Sequence, residues 1–249
     1  MRDLYGDMVQ RAIDVIRTYS QGEPIHGAFS GGKDSVAIKG LCANAGIDVD
    51  WHYHVTTIDP PELVRFIKRH HPDVKFDIPK SPMLRLVPTH GFPTMIRRWC
   101  CAKYKEAKTN PGEVWLLGVR AAESPRRAKQ WRQFMVRNNG MRAINPILYW
   151  RDEDVWTFIR EMQLPYCELY DEGFKRLGCV GCPMGNQRRD FARWPHFERA
   201  WRKAFHELWA TGRNSTTRWN SADEMFEWWI RNKTVPEKND CQGLLELWA

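Results

Sequence analysis

Six consecutive residues, Ser30-Gly31-Gly32-Lys33-Asp34-Ser35, concentrate the groups that bind phosphate. They stand where an apolar run at 25–29 gives way to a helical pattern at 36–42. A strand feeding a Gly-rich turn and a helix N-terminus aims backbone N–H groups and the positive end of the helix dipole at an anion. The glycines let the backbone approach without Cβ clashes. Lys33 adds a point charge, and the hydroxyls of Ser30 and Ser35 add donors. The spacing is not that of the Walker loop, which needs four residues between its first Gly and Gly-Lys. Asp34 is placed either to hold Mg²⁺ bridging the phosphates or to cap the helix.

Cysteines form the second group. Cys100-Cys101 and Cys179-Val180-Gly181-Cys182 supply four thiols, with glycines at 178 and 181 leaving room for N–H groups to point at sulfur. Thiolates are soft ligands for iron–sulfur clusters and for zinc, and both stay open here. Structural zinc sites prefer two to four residues between paired cysteines, so the adjacent pair fits zinc less well. Seven cysteines is an odd number, and a disulfide framework is not expected.

Alternating strands and helices must position both groups. Strands are expected at 25–29, 49–57, 74–78 and 113–119, and helices at 4–19, 34–45, 60–70, 83–90 and 152–161. That alternation implies an α/β fold, a doubly wound parallel sheet with ligands at the carboxyl ends of its strands. The loop at 30–35 lies at one such end, Thr57 at the next, and Gly118 and Arg120 at a third. Arg120, Arg126 and Arg127 carry guanidinium forks suited to phosphate or sulfate. Beyond residue 184 the chain turns Trp-rich, with seven of its 13 tryptophans and two helical patterns. A domain at 1–184 with a helical appendage at 185–249 is expected.

Composition sets the class. The chain has 249 residues, 43% hydrophobic and 12% aromatic, enough for a substantial core. No apolar stretch approaches the ~18 residues of a membrane span, and the first ten residues lack the apolar core of a signal peptide. A soluble, cytoplasmic protein with no membrane partner is expected. Thirty-eight Lys and Arg against 30 Asp and Glu give +8, which suits a nucleotide or nucleic acid.

The loop resembles the PP-loop of the N-type ATP pyrophosphatases, which split ATP into AMP and pyrophosphate. Further matches follow in order: Arg98-Trp99-Cys100-Cys101 with Lys105; Gly118-Val119-Arg120, Glu123-Ser124 and Arg126-Arg127; Asn145-Pro146-Ile147, Trp150, Asp154-Val155-Trp156, Ile159-Arg160 and Leu164-Pro165-Tyr166; and Gly178-Cys179-Val180-Gly181-Cys182-Pro183. As an ordered set over about 20–185 they resemble the phosphoadenosine phosphosulfate (PAPS) reductase family. The resemblance implies a 4Fe-4S cluster on Cys100, Cys101, Cys179 and Cys182, and ATP with Mg²⁺ on Ser30, Gly31, Gly32, Lys33, Asp34 and Ser35.

The complete loop favours ATP cleavage, adenylylation of a substrate and sulfur transfer, as in DNA phosphorothioation or tRNA thiolation. The partners would then be a nucleic acid and a sulfur donor such as a cysteine desulfurase or a reduced thiol carrier. An alternative is a sulfonucleotide reductase with Cys241 as nucleophile. Those reductases end in Glu-Cys-Gly-Leu-His, whereas this chain reads Asp240-Cys241-Gln242-Gly243-Leu244-Leu245. A third reading is a nucleotide- and nucleic-acid-binding module without catalysis. A homo-oligomer is compatible with all three.

Two other groups are read as structural. His52 and His54 share a strand face and His70-His71 ends a helix, with no third ligand near either pair. Trp201, Phe205 and Trp209 follow helical spacing and are expected in a core. Arg188, Arg189 and Arg193, beside the second cysteine pair, are balanced between solvated charge and contact with a nucleic-acid strand.

Overall fold

A computed structural model describes residues 2–106, 109–212 and 219–231. Its helices are α1 (Arg2–Ser20), α2 (Lys33–Asn44), α3 (Pro61–His70), α4 (Val87–His90), α5 (Trp99–Cys101), α6 (Pro125–Gln130), α7 (Asp152–Glu161), α8 (Gln187–Arg193), α9 (Pro195–Ala210) and α10 (Ala222–Arg231). Its strands are β1 (Ile25–Ala28), β2 (Asp50–His54), β3 (Lys75–Asp77), β4 (Val114–Leu116), β5 (Phe134–Val136) and β6 (Arg142–Ile144). No helix among the described residues is long and apolar enough to cross a membrane.

The chain divides into two compact units. The first comprises Met1–Val55, Asp59–Pro79 and Tyr104–Gly178. It holds a six-stranded sheet in the order β3-β2-β1-β4-β6-β5. All pairs are parallel except β5 with β6. The parallel α/β sheet is therefore present as expected, with an antiparallel edge strand added. From β1 the chain builds outward to β2 and β3, while β4 lies on the opposite side of β1. Strand order reverses between β1 and β4, and such a switch point opens a crevice at the carboxyl ends of the two strands. Phe29, Ile38, Leu41, Leu63, Ile67, Leu116, Ile144 and Phe158 are buried in this unit.

The strands are shorter than the sequence pattern suggests, and the expected helix at 83–90 is a 3₁₀ turn, Met83–Leu86, continued by α4. Pro88 lies inside that segment and Pro82 just before it, which limits regular helix there. The hairpin of β5 and β6 has no expectation behind it. Three-residue strands carry too little alternation to register, although Asn138-Asn139-Gly140 between them is a turn signal. Gly140 takes φ +80 there, and its N–H donates to Arg137 O at 2.8 Å.

The second unit comprises Thr56–Ile58, Lys80–Lys103 and Cys179–Ala249. Aromatic rings on α9 and α10 form its core. Trp201, Phe205, Phe226 and Trp229 are at most 4% exposed, and the Trp201 and Trp229 centroids are 4.7 Å apart. Phe92 stacks on Phe205 at 5.1 Å. Full burial of one such side chain contributes about 1.5–3 kcal/mol. Trp201 and Phe205 are thus core residues; Trp209 is only half-buried. Arg202 of α9 reaches Glu227 of α10 at 2.6 Å and is braced by Glu198 one turn back at 2.8 Å.

Candidate active site and cysteine group

The loop at 30–35 follows β1 at the switch point. Gly31 has φ +71, and a Cβ there would lie 2.7 Å from Leu63 Cδ1 and 2.9 Å from Ile67 Cδ1. Glycine is therefore required for both conformation and space. Gly32 precedes α2 in extended conformation and, lacking a side chain, makes no cap of its own. Helix geometry leaves the first-turn N–H groups of Asp34 and Ser35 without intrahelical partners. Hydroxyls brace the turn from inside. Ser35 Oγ donates to Gly32 O at 2.8 Å, and Ser30 Oγ lies 3.3 Å from Ser35 Oγ. Tyr170 reaches in from the far end of the unit, its hydroxyl accepting Lys33 N–H at 2.8 Å. Burial raises the Tyr170 pKa, so the phenol stays protonated.

Charged side chains converge on the first turn of α2. Lys33, 5% exposed, places Nζ 3.2 Å from Asp152 Oδ1 and 3.8 Å from Asp34 Oδ2. Arg120, 4% exposed, donates from Nε to Asp34 Oδ1 at 2.6 Å and from Nη2 to Asp152 Oδ1 at 2.7 Å. Gly118 allows this approach: a Cβ there would come within 3.3 Å of Asp34 Cβ. Burial raises the Asp34 pKa against the opposing pull of Lys33 and Arg120. For Asp152 burial also pushes upward, but Lys33 and Arg120 overcome it and the pKa falls. The result is two cations and two carboxylates beside uncapped N–H groups, an arrangement that can receive a polyphosphate and release its cations to it. Asp34 would offer Mg²⁺ its Oδ2, since Oδ1 is engaged by Arg120.

Of the expected nucleotide residues, the first unit brings Ser30 to Ser35, Gly118 and Arg120 together. Arg126 lies on α6, exposed, with Nε donating to Gln130 at 3.2 Å. Thr57 belongs to the second unit, at φ +68, its hydroxyl accepting Met83 N–H at 2.9 Å. Asp152 and Tyr170 were not expected. Asp152 reads in the sequence only as acid in a first turn, and nothing local marks Tyr170.

All four motif cysteines fall in the second unit, each half-buried. Cys100 has its pKa pushed up by a hydrogen bond with Cys101 and by burial, and also by the charges of Cys101, Cys179 and Cys182. The thiols are thus near enough to act on one another. Donors surround them: Arg98 Nη2 is 3.3 Å from Cys101 Sγ, and Met184 N is 3.4 Å from Cys182 Sγ. Cys179 Sγ donates to Thr56 Oγ1 at 3.3 Å. The loop carrying Cys179 and Cys182 is fixed by the C-terminal helices. Trp201 Nε1 donates to Val180 O at 3.1 Å, Gln187 Nε2 to Gly181 O at 3.0 Å, and Gly181 N to Asp190 Oδ2 at 3.0 Å. Gly181 has φ +75, and a Cβ would lie 2.6 Å from the Phe191 ring. Cys100, Cys101, Cys179 and Cys182, with a guanidinium at Cys101 and an N–H at Cys182, are the residues that could hold a thiolate-ligated cluster. Cys42 is different: burial drives its thiol up to about 12, which keeps it protonated. Cys241 lies outside the described residues.

Fold and switch-point loop define an α/β protein of the PP-loop class. The phosphoadenosine phosphosulfate reductase domain model matches residues 24–184, and the chain belongs to that family. An uncharacterised protein of Methanocaldococcus jannaschii is 29% identical over 84% of this chain and 45% of its own length. An adenosine 5'-phosphosulfate reductase of Staphylococcus epidermidis is 30% identical over 55% of this chain and 58% of its own. The chain spans about half the length of these curated relatives. Among solved structures, a Candida auris PAPS reductase in a phosphate complex superposes with TM-score 0.51 at 18% identity, covering 73% of this chain and 97% of that one. A Candida glabrata FMN adenylyltransferase with FAD and inorganic pyrophosphate gives 0.52 at 17%, covering 76% and 69%. At these identities the two structures establish the shared fold.

Proposed function

We propose that the protein is an ATP pyrophosphatase-type sulfurtransferase that adenylylates an oxygen of a nucleic-acid substrate and replaces it with sulfur. The observation that carries this reading is the complete, uncapped Ser-Gly-Gly-Lys-Asp-Ser loop with Lys33 and Arg120 held beside it. ATP binds with its β- and γ-phosphates against the loop amides and Lys33. The substrate oxygen attacks the α-phosphorus, the bond to the bridging oxygen breaks, and pyrophosphate leaves. Lys33 and the Asp34 and Ser35 N–H groups stabilise the charge that develops. A persulfide sulfur, brought by a cysteine desulfurase or a thiol carrier, then displaces AMP, and a second thiol frees the product by forming a disulfide with the donor. Cys100, Cys101, Cys179 and Cys182 would hold a 4Fe-4S cluster, which supplies a soft, redox-capable centre when bound. The charge of +8 supports a polyanionic acceptor.

The names of the reductase relatives favour a second reading, in which adenosine 5'-phosphosulfate or its 3'-phosphorylated form occupies the same loop and Cys241 attacks its sulfur. One assay separates them. Release of pyrophosphate from ATP in the presence of nucleic acid supports the first. Sulfite release from the sulfonucleotide, abolished by Cys241→Ser, with no ATP cleavage, replaces it with the second.

A further inference from the structure

Parallel pairing of β1 with β2 sets His26 opposite Asp50 and Ala28 opposite His52, so His26, Asp50 and His52 share one face of the sheet. One ligand atom from each lies within 4.8 Å of the other two. Nδ1 of His26 is 3.9 Å from Asp50 Oδ2, and Nε2 of His52 is 3.2 Å from the same oxygen. A tetrahedral ion with ligands at ~2.0–2.1 Å holds neighbouring donors about 3.3 Å apart. The three atoms therefore need only a small contraction to ligate one ion.

Two features show that this is more than proximity. First, both nitrogens are shut off from solvent and make no hydrogen bond; His52 Nε2 is near Asp50 without hydrogen-bond alignment. Second, His52 Nδ1 lies 3.1 Å from Asp77 Oδ2. An ionised carboxylate only accepts, so Nδ1 is the donor to Asp77 and Nε2 is the nitrogen turned to Asp50. Nε2 of His52 and Nδ1 of His26 thus converge on one oxygen, Asp50 Oδ2, which also accepts from Lys75 Nζ at 2.7 Å. A carboxylate behind a histidine is also the usual support of a metal-ligating imidazole. Lys75 Nζ fixes the Asp50 carboxylate from outside at 2.7 Å. Trp115, stacked on His26 at 5.1 Å and packed on His52 at 5.5 Å, holds both rings. Asp50 also lines a cleft of about 660 Å³ with Arg17, Glu23 and Asp48.

We infer that His26, Asp50 and His52 form a site for a divalent transition metal, zinc first among them, separate in its donors from the cysteine group. Two imidazoles and a carboxylate suit zinc, cobalt, iron or nickel, and three protein ligands leave a position for water or an exogenous ligand.

Cobalt(II) titration of the full chain tests this. Thiolate ligation gives an intense near-ultraviolet charge-transfer band, whereas a nitrogen and oxygen site gives only weak visible absorption. The expected result is one equivalent of cobalt with visible absorption alone. His26→Gln and His52→Gln each remove that equivalent and leave any thiolate band untouched, while Asp77→Asn keeps the stoichiometry and weakens affinity ~10–100-fold. Circular dichroism confirms the fold of each variant, and the near-isosteric Asp50→Asn gives the same readout should a histidine variant unfold. Cobalt bound only with thiolate bands, or variants that bind as the parent does, would overturn the assignment.

Discussion

Arg120, just past the end of β4, donates from Nε to Asp34 in the first turn of α2 at 2.6 Å, across the point where strand order reverses. The pair closes the switch point with a guanidinium that is 4% exposed. Arg120→Ala leaves Asp34 half-buried beside Lys33 alone. The expected loss is about 1–3 kcal/mol of stability, read from urea unfolding. Arg120→Lys restores charge but not the fork to Asp34 and Asp152, so it recovers only part of the loss.

Lys33 is the cation supplied by the loop itself, in the first turn of α2. Lys33→Ala is expected to lower pyrophosphate release about 10²–10³-fold, the range for loss of one preorganised electrostatic donor. Losing the buried pairs with Asp152 and Asp34 should also lower the melting temperature, so turnover is compared where both proteins are folded. A variant with parental turnover would remove the loop from the chemistry.

Gly31→Ala puts a Cβ into the side chains of Leu63 and Ile67 at φ +71. The left-handed backbone alone costs roughly 1–2 kcal/mol. Calorimetry should show a lower melting temperature and, by isothermal titration, weaker ATP binding. Unchanged binding would mean that the turn tolerates another backbone path.

His71 supplies the clearest dependence on pH. Burial, aided by Lys39 and opposed by Asp73, lowers its pKa from 6.5 to about 4. Its ring packs on Phe29 at 4.6 Å and Phe66 at 5.2 Å. A base depressed in the folded state is neutral there while the unfolded chain takes up a proton. The stability it contributes is full above pH 6.5 and is lost as pH falls from 6.5 towards 4. His71→Phe should flatten the urea-unfolding profile across that window; an unchanged slope would place the acid sensitivity elsewhere.

Anaerobic purification should yield a brown protein with about four iron and four sulfide per chain, the content of one four-thiolate cluster. Cys100→Ser and Cys182→Ser should each lose that absorbance near 400 nm. A colourless protein with one zinc would reassign the thiols.

Local spacing carried much of the site into the sequence. The loop at 30–35 is a strand end, a glycine turn and a helix start in consecutive residues, so its geometry follows from near neighbours. The α/β class followed from the same alternation of strands and helices. What escaped depends on register and on distant segments. Tyr170 meets Lys33 N–H across 137 positions, and Asp152 meets Arg120 across 32. His26 and Asp50 were not connected to His52 because only the pairing of β1 with β2 makes them neighbours. The short β5 and β6 lacked the length to show a period.

The second unit is assembled from three stretches of chain, with most of the parallel sheet encoded between Cys101 and Cys179 or ahead of Cys100. Trp201 clamps the Val180 carbonyl only after α9 has been made. During synthesis, then, the first cysteine pair leaves the ribosome long before its companions and their clamp exist. Such non-local closure is slow and comes late in folding. Maturation of the thiol group therefore waits on the making of α9, and a chain arrested before α9 would carry exposed cysteines open to oxidation.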